Sequence, residues 1–282
     1  MKKLILLFSL LLFISCENYG QLQVKTKLPK VLVEVSGIQY SEKENAFWML
    51  NDSGNKSRLY LVSEKGIIQR EVKINAKNTD WEDITKDAKG NIYIADFGNN
   101  GNDREDLKIL KVTPQDLLKN KQVDVEKITF SYPEQKKFPP KKKHFFFDAE
   151  ALFWLNGYLY VFTKSHVKKK IGKTSLYRIP AIKGNYKAEF VSEFSSGNEA
   201  EDWITSADIS TDGKKVVLLT HNAVWVFTNF KGDNFFSGLS MKLLLNHNSQ
   251  KESITFKNDS TLYITDERSR GKGGNLYEFK LN

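Results

Sequence analysis

A short phrase recurs five times along this chain, and it restricts the fold more strongly than any other feature. Each copy runs from a carboxylate or hydroxyl side chain into an apolar residue. A turn follows, then a hydrophobic strand with a polar end, then a further strand. The copies are residues 34–38, 81–84, 148–152, 206–209 and 252–254. Repeats of short strands at this spacing are typical of radial or stacked all-β folds.

The phrase divides the chain into units, which are residues 33–74, 80–132, 148–194, 203–245 and 252–282. The first four units have room for four strands each, whereas the fifth has only three. Residues 22–28 alternate like a strand and supply the missing one, because an open ring leaves strand edges unpaired. The sequence therefore predicts an all-β fold, a five-bladed β-propeller whose last blade is closed by the N-terminal strand.

Two other architectures compete with this prediction. A six-bladed ring needs a hidden blade within residues 100–147, where only two convincing strands occur. A pair of β-sandwich domains is the next alternative, and the regular repetition disfavours it.

The first sixteen residues differ from the rest. Lys2 and Lys3 precede an apolar run over residues 4–14, which is too short to span a bilayer as a stable helix. The run ends at Ser15 and at Cys16, the only cysteine of the chain. This pattern predicts a lipoprotein-type signal peptide over 1–16, a short tether over 17–21 and a single propeller domain over 22–282. Plain signal cleavage with secretion is the alternative.

Lipidation of Cys16 predicts palmitate-type anchoring to a bacterial membrane, with the protein facing the periplasm or the exterior. A mature chain then has no free thiol, which excludes disulfides, thiol nucleophiles and thiolate metal sites. Loss of Lys2 and Lys3 lowers the formal net charge from +9 to +7. Such an excess suits anionic ligands or membrane surfaces, although solubility alone is sufficient reason for it.

Propeller geometry predicts where the polar residues meet. The first strand of each blade lines the channel, and its start shares a face with the end of the second strand. The polar residues of both positions are therefore expected at one channel mouth. The candidate metal ligands are Glu34, Glu82, Asp148 and Glu150. The candidate ligand-binding residues are Asp52, Asp96, Arg104, Lys164 and Arg268. The candidate acids or bases are His166 and His221.

Carboxylates held close together raise one another's pKa unless a cation intervenes. Calcium or magnesium is one solution, and pairing with arginine or lysine is the other. The repeated carboxylates have a competing explanation, since they are also suited to bind backbone N–H groups of adjacent inner strands. No cofactor is certain at this level.

Several functional classes lose support. The chain has no Gly-x-Ser-x-Gly elbow, no His-Glu-x-x-His, no dinucleotide-binding fingerprint and no phosphate-binding P-loop. The basic and aromatic segment 141–147 resembles nucleic-acid binders. A solvated loop explains its lysines more simply, and no nucleic-acid partner is expected for an exported protein.

Several motifs resemble secreted bacterial propellers of the SdiA-regulated and esterase-like phytase types. They are residues 34–38 with 51–54, 80–84, 93–99 with Arg104, 148–152, 162–164 and 205–213. The resemblance covers the chain from about Val33 to the last strand and implies a propeller fold. The phytase comparison also implies calcium held by channel carboxylates and phosphate held by lysine or arginine.

These observations predict a lipid-anchored envelope propeller that binds an anionic small molecule, a glycan or a protein at its channel mouth, without established catalysis. The alternative is a calcium- or magnesium-dependent hydrolase of phosphate or carboxylate esters. The sequence leaves open whether the protein is an enzyme. A monomer is expected.

Overall fold

The computed structural model describes residues 18–281, so Cys16 and the predicted signal peptide lie outside the described residues. Five β-sheets account for nearly all regular structure. Their inner strands contact one another in a closed ring, which confirms the predicted five-bladed β-propeller. No helix in the described part of the chain has the length and apolarity needed to cross a bilayer.

The strands are numbered in chain order, from the channel outwards in blades one to four. Blade one contains β2 (Val35–Ser41), β3 (Ala46–Asn51), β4 (Arg58–Ser63) and β5 (Ile68–Ile74). Blade two contains β6 (Trp81–Lys86), β7 (Ile92–Asp96), β8 (Lys108–Val112) and β10 (Glu126–Ser131). Blade three contains β11 (Asp148–Leu155), β12 (Tyr158–Lys164), β13 (Lys173–Pro180) and β15 (Glu189–Ser195). Blade four contains β16 (Ser206–Ile209), β17 (Lys215–Leu219), β18 (Ala223–Thr228) and β19 (Leu239–Leu244).

Blade five joins the two ends of the chain. Its strands are β20 (Lys251–Asn258), β21 (Thr261–Asp266), β22 (Asn275–Lys280) and β1 (Gln23–Lys27). The N-terminal strand β1 pairs antiparallel with β22, as the missing strand of unit five predicts. Leu22 and Leu28 flank β1 and are buried, so closure also covers apolar surface.

Two short strands add to the outer edges of blades one and two. Strand β9 (Gln122–Val123) pairs parallel with β5, and β14 (Gly184–Lys187) pairs parallel with β10. Each is contributed by the segment that belongs to the next blade. The helix α1 (Pro114–Lys119) begins at Thr113, whose hydroxyl accepts a hydrogen bond from the Asp116 N–H, and it leads the chain to β9. These additions cover edges that otherwise present unpaired backbone groups.

The apolar core lies between the blades. Nearly every residue of the two inner strands of a blade is buried, as in β2, β3 and β7. Successive side chains point to opposite faces of a sheet, so both faces pack against neighbouring blades. Trp81, Tyr93, Tyr263 and Tyr277 are almost fully buried there. The closed ring places residues that are distant in sequence around one axis.

Candidate functional site

The inner strands of four blades carry a β-bulge at the same level. The strand register shifts between Val35 and Gly37 in β2 and between Trp81 and Ile84 in β6. It shifts likewise around Glu150 in β11 and Glu252 in β20. A bulge leaves its extra residue unpaired and turns the side chain away from the regular pleat. Carboxylates therefore occupy this bulge in three blades, at one mouth of the channel.

Three carboxylates form a tight group there. Asp52 follows β3, Asp80 precedes β6, and Glu82 lies in the bulge of β6. One oxygen from each of them lies within 4.8 Å of the other two. The Glu82 side chain is 9% exposed, and no residue that the structure describes donates a hydrogen bond to it. These oxygen atoms are hard ligands of the kind that calcium and magnesium take.

Gly98 fits beneath this group because it has no side chain. A Cβ atom at this position would lie 2.0 Å from Oε1 of Glu82 and 2.5 Å from Oδ2 of Asp80. Its N–H donates to the Asp80 carbonyl at 3.2 Å. The close approach of the Gly98 backbone therefore limits where the two carboxyl groups lie.

The electrostatics of the mouth are unfavourable for so many anions. Burial, together with the charges of Asp80 and Glu252 and against hydrogen bonds from Ser53, raises the pKa of Asp52 to about 6. Burial, followed by the charge of Glu252, raises the pKa of Glu267 to about 8. Burial and the carboxylates of Glu150 and Asp52 raise the pKa of Glu82 well above its ordinary value. A cation placed among these groups would relieve the repulsion.

One cation from the chain serves the blade-three side of the mouth. The Lys164 ammonium contacts the Glu150 carboxylate and lies 3.7 Å from Asp148. Burial lowers the pKa of Lys164, but these two carboxylates outweigh burial and raise it above the ordinary value. The ammonium also lies 5.3 Å from the ring centroid of Trp203. Lys164 therefore offsets part of the negative charge of this pair, while burial still raises the pKa of Glu150 well above its ordinary value.

His166 is oriented by Asp148. Its Nε2 lies 2.6 Å from Oδ2 of Asp148, and the other oxygen, Oδ1, accepts from the Asn99 N–H at 2.6 Å. Burial would raise the pKa of Asp148, but Lys164, His166 and the Asn99 N–H together hold it below its ordinary value. An imidazole held by an ionised carboxylate is an arrangement suited to proton transfer. His221 forms a similar but longer contact, with its Nε2 3.3 Å from the Glu252 carboxylate.

Three of the candidate ligand-binding residues serve the fold in this structure. Arg104 lies 3.1 Å from the buried Asp96 and donates to the Gly98 carbonyl at 2.7 Å. Lys108 lies 3.3 Å from the other Asp96 oxygen. Arg268 donates to the Leu28 carbonyl at 2.8 Å, next to the closing strand. Their roles as ligand contacts stay predictions.

The four candidate metal ligands lie in different surroundings. Glu34 is exposed and accepts a hydrogen bond from Asn55 at 2.5 Å. Asp148 and Glu150 face Lys164, and only Glu82 belongs to the tight carboxylate group described above. Asp52, predicted as a ligand contact, and Asp80 complete that group.

A second set of acids fastens neighbouring blades together. Asp83 accepts from the Leu152 N–H at 3.1 Å and from the Ser206 hydroxyl at 3.1 Å. Asp208 accepts from the Phe256 N–H at 2.8 Å. Asp83 and Asp208 thus have the backbone-binding role expected for the repeated carboxylates. The side chains of Glu82 and Glu150 lie at the channel mouth instead. The sequence phrase contains both kinds of acid side by side.

Comparisons with known proteins bear on the fold. The sequence matches no protein-family model and no curated protein, so the resemblance to SdiA-regulated and phytase-type propellers stays a prediction. A gluconolactonase from Xanthomonas campestris has a similar structure, with 11% identity over 93% of this chain and 90% of that chain and a TM-score of 0.50. A PQQ-bound aldose sugar dehydrogenase from Streptomyces coelicolor has 12% identity over 93% and 98% and a TM-score of 0.50.

A virginiamycin B lyase from Staphylococcus aureus aligns less well, with 13% identity over 90% of this chain and 69% of that chain and a TM-score of 0.44. At such low identities the likeness concerns architecture. What this chain shares with the gluconolactonase and the dehydrogenase is the β-propeller fold.

Proposed function

We propose that the protein binds a divalent cation, calcium or magnesium, at the channel mouth and uses it to hold an anionic or hydroxyl-rich ligand. One observation carries the proposal. Glu82 is nine-tenths buried, has no hydrogen-bond donor among residues 18–281, and directs an oxygen at Asp52 and Asp80. A buried carboxylate without a hydrogen-bond donor is unfavourable unless a cation binds it.

The neighbouring residues suit such a ligand. Lys164 and His166 place cationic or hydrogen-bonding groups on the blade-three side of the mouth. Trp203 is half-buried beside them, with its ring 5.5 Å from that of His166. Aromatic faces support sugar or aryl rings, and the charged groups then orient the polar substituents. A small anion, a glycan or an acidic loop of a protein fits this description.

We propose further that the propeller is attached to a bacterial membrane through lipid on Cys16, which places the binding site in the cell envelope. The support is the sequence pattern of residues 1–16. Metabolic labelling with an alkyne palmitate tests this. Labelled wild-type protein and unlabelled Cys16→Ala protein are expected, and equal labelling of the two would contradict lipidation at this residue.

The His166–Asp148 pair favours a second candidate function, which is metal-dependent hydrolysis of phosphate or carboxylate esters. Propellers of similar fold include enzymes, so the architecture accommodates catalysis. A bound divalent cation supplies polarisation of an ester oxygen. In this candidate reaction His166 accepts a proton from the attacking water. Asp148 keeps the imidazole oriented, and Lys164 faces the developing negative charge.

Isothermal titration with CaCl₂ and MgCl₂ after EDTA treatment tests the cation site. Wild-type protein should bind one ion, and Glu82→Gln should weaken binding at least tenfold because one of three ligands loses its charge. Glu126→Gln is the matched control, since Glu126 is exposed on the outer strand β10. Equal affinity of wild type and Glu82→Gln would refute the proposed site.

Turnover of p-nitrophenyl phosphate and p-nitrophenyl acetate separates the two candidate functions. Hydrolysis that requires the cation and falls at least a hundredfold in His166→Asn supports the enzyme. Cation binding without such hydrolysis supports a binding protein.

A further inference from the structure

One cavity of the described structure is lined by none of the three carboxylates of the channel mouth. It measures 670 Å³ and lies between the connection over residues 133–147 and the outer strands of blade three. Its size is that of a pocket for a small molecule. The basic and aromatic segment 141–147, which the channel mouth does not use, forms one wall.

Aromatic rings form the apolar part of this cavity. Phe147 is buried against Tyr132, which packs against Tyr177 with ring centroids 4.7 Å apart. Tyr177 in turn meets Phe190 edge-on at 5.7 Å. Phe190 is 45% exposed, which is unusual for so large an apolar side chain in contact with a core. This surface is suited to a flat or chain-like apolar body.

Positive charge surrounds the aromatic surface. Five lysines and His144 line the cavity against two glutamates, and both glutamates are engaged. Glu134 accepts from the Tyr177 hydroxyl at 3.4 Å, and Glu193 pairs with Lys173. The other lining lysines have no ion-pair partner among residues 18–281, and they are Lys136, Lys137, Lys141 and Lys143. The charge therefore favours an anionic occupant.

We infer that this cavity is a second binding site, and that it takes an amphiphilic anion, a carboxylate or sulfonate group carried on an aromatic or short acyl body. The apolar body lies on Phe190 and Tyr177, and the anionic group faces the unpaired lysines of the 133–147 connection. The site is independent of the cation at the channel mouth. The cavity also adjoins the channel mouth, because the backbone N–H of His166 donates to the backbone carbonyl of Phe145 at 2.9 Å.

Fluorescence titration with 8-anilinonaphthalene-1-sulfonate tests the inference, with the uncharged N-phenyl-1-naphthylamine as a matched probe. Wild-type protein should bind the sulfonate with a blue-shifted emission and bind the uncharged probe at least tenfold more weakly. The double variant Lys141→Glu/Lys143→Glu should lower the sulfonate affinity about tenfold, since two nearby cations become anions. Phe190→Ser should remove most of the emission shift.

The control variant Lys30→Glu/Lys65→Glu carries the same charge change on exposed residues outside the cavity. Its sulfonate affinity should equal that of the wild type, and circular dichroism verifies that each variant is folded. Displacement of the sulfonate by decanoate identifies an acyl ligand, and displacement by 2-naphthoate identifies an aromatic one. The inference is overturned if neither compound displaces the probe, or if the two lysine double variants weaken binding equally.

Discussion

Replacement of Glu82 by glutamine should stabilise the protein when no metal is present. The oxygens of Glu82 and its neighbours lie within 4.8 Å of one another, and at that distance two ionised carboxylates repel by about 3.5 kcal/mol at an effective dielectric constant of 20. Protonation of Glu82 relieves this repulsion. For a carboxyl of ordinary pKa 4.5, protonation at pH 7 costs about 3.4 kcal/mol, which is the upper limit of the penalty. Because glutamine resembles the protonated acid, we expect a gain of about 1 to 3 kcal/mol at pH 7.

The raised pKa of Glu82 determines how the free energy of unfolding changes with pH. An acid whose pKa is raised in the folded state takes up a proton on folding, so the stability it supports is present at low pH. That stability is lost as the pH rises towards the folded-state pKa. The free energy of unfolding of the metal-free wild type should therefore fall as the pH rises above about 4.5, and that of Glu82→Gln should fall less. Near pH 4.5 the two proteins should be equally stable.

Urea unfolding followed by tryptophan fluorescence measures this difference, in EDTA and in 5 mM CaCl₂. Calcium should stabilise the wild type and leave Glu82→Gln nearly unchanged, because the ion binds the folded state selectively. Glu126→Gln should differ from the wild type by less than about 0.5 kcal/mol in both buffers. A loss of more than 1 kcal/mol in Glu82→Gln at pH 7 in EDTA would refute the reasoning, since it would make the carboxylate a structural group.

Three further outcomes are expected. Asp83→Ala should lower the free energy of unfolding by about 3 kcal/mol in the same urea assay, because buried donors from Leu152 and Ser206 lose their acceptor; a change below 1 kcal/mol would contradict its fastening role. Removal of residues 1–27 should lower the Tm by about 10 °C in calorimetry, since β22 loses its partner strand, and an unchanged Tm would argue against closure. Calcium affinity measured by titration should rise at least tenfold from pH 5.5 to pH 8. The reason is that Asp52 has a pKa of about 6 and Glu267 a pKa of about 8, so both lose protons over this range. An affinity that does not change with pH would exclude these groups from the site.

The repeat carried most of the fold prediction. Five hydrophobic strand pairs at regular spacing predict five sheets, and the three-strand fifth unit predicts closure by residues 22–28. The short strands β9 and β14 were not predicted. With two and four residues they have no detectable periodicity, and they pair with blades other than the ones their neighbours in sequence form. Their pairing depends on where the ring brings the chain.

The channel mouth was predicted in outline. The sequence indicated that Asp52, Glu82, Glu150, Lys164 and His166 would converge, and the structure brings them together. It could not assign their partners. Asp96 and Arg104 bind each other in the structure, an arrangement that their separation of eight residues permits but does not require.

By itself, the amino-acid sequence determined the blade count, the closing strand and the face on which the acids gather, because these follow from the order of apolar and polar residues along each strand. Only the tertiary structure decided which acids lie at the channel mouth and which bind the backbone of a neighbouring blade. Glu82 and Asp83 are adjacent in sequence, yet the bulge in β6 leaves the first at the mouth without a hydrogen-bond donor among the described residues and places the second against the backbone of blade three. That division depends on the position of the neighbouring blades, which supply the Leu152 N–H and the Ser206 hydroxyl to Asp83.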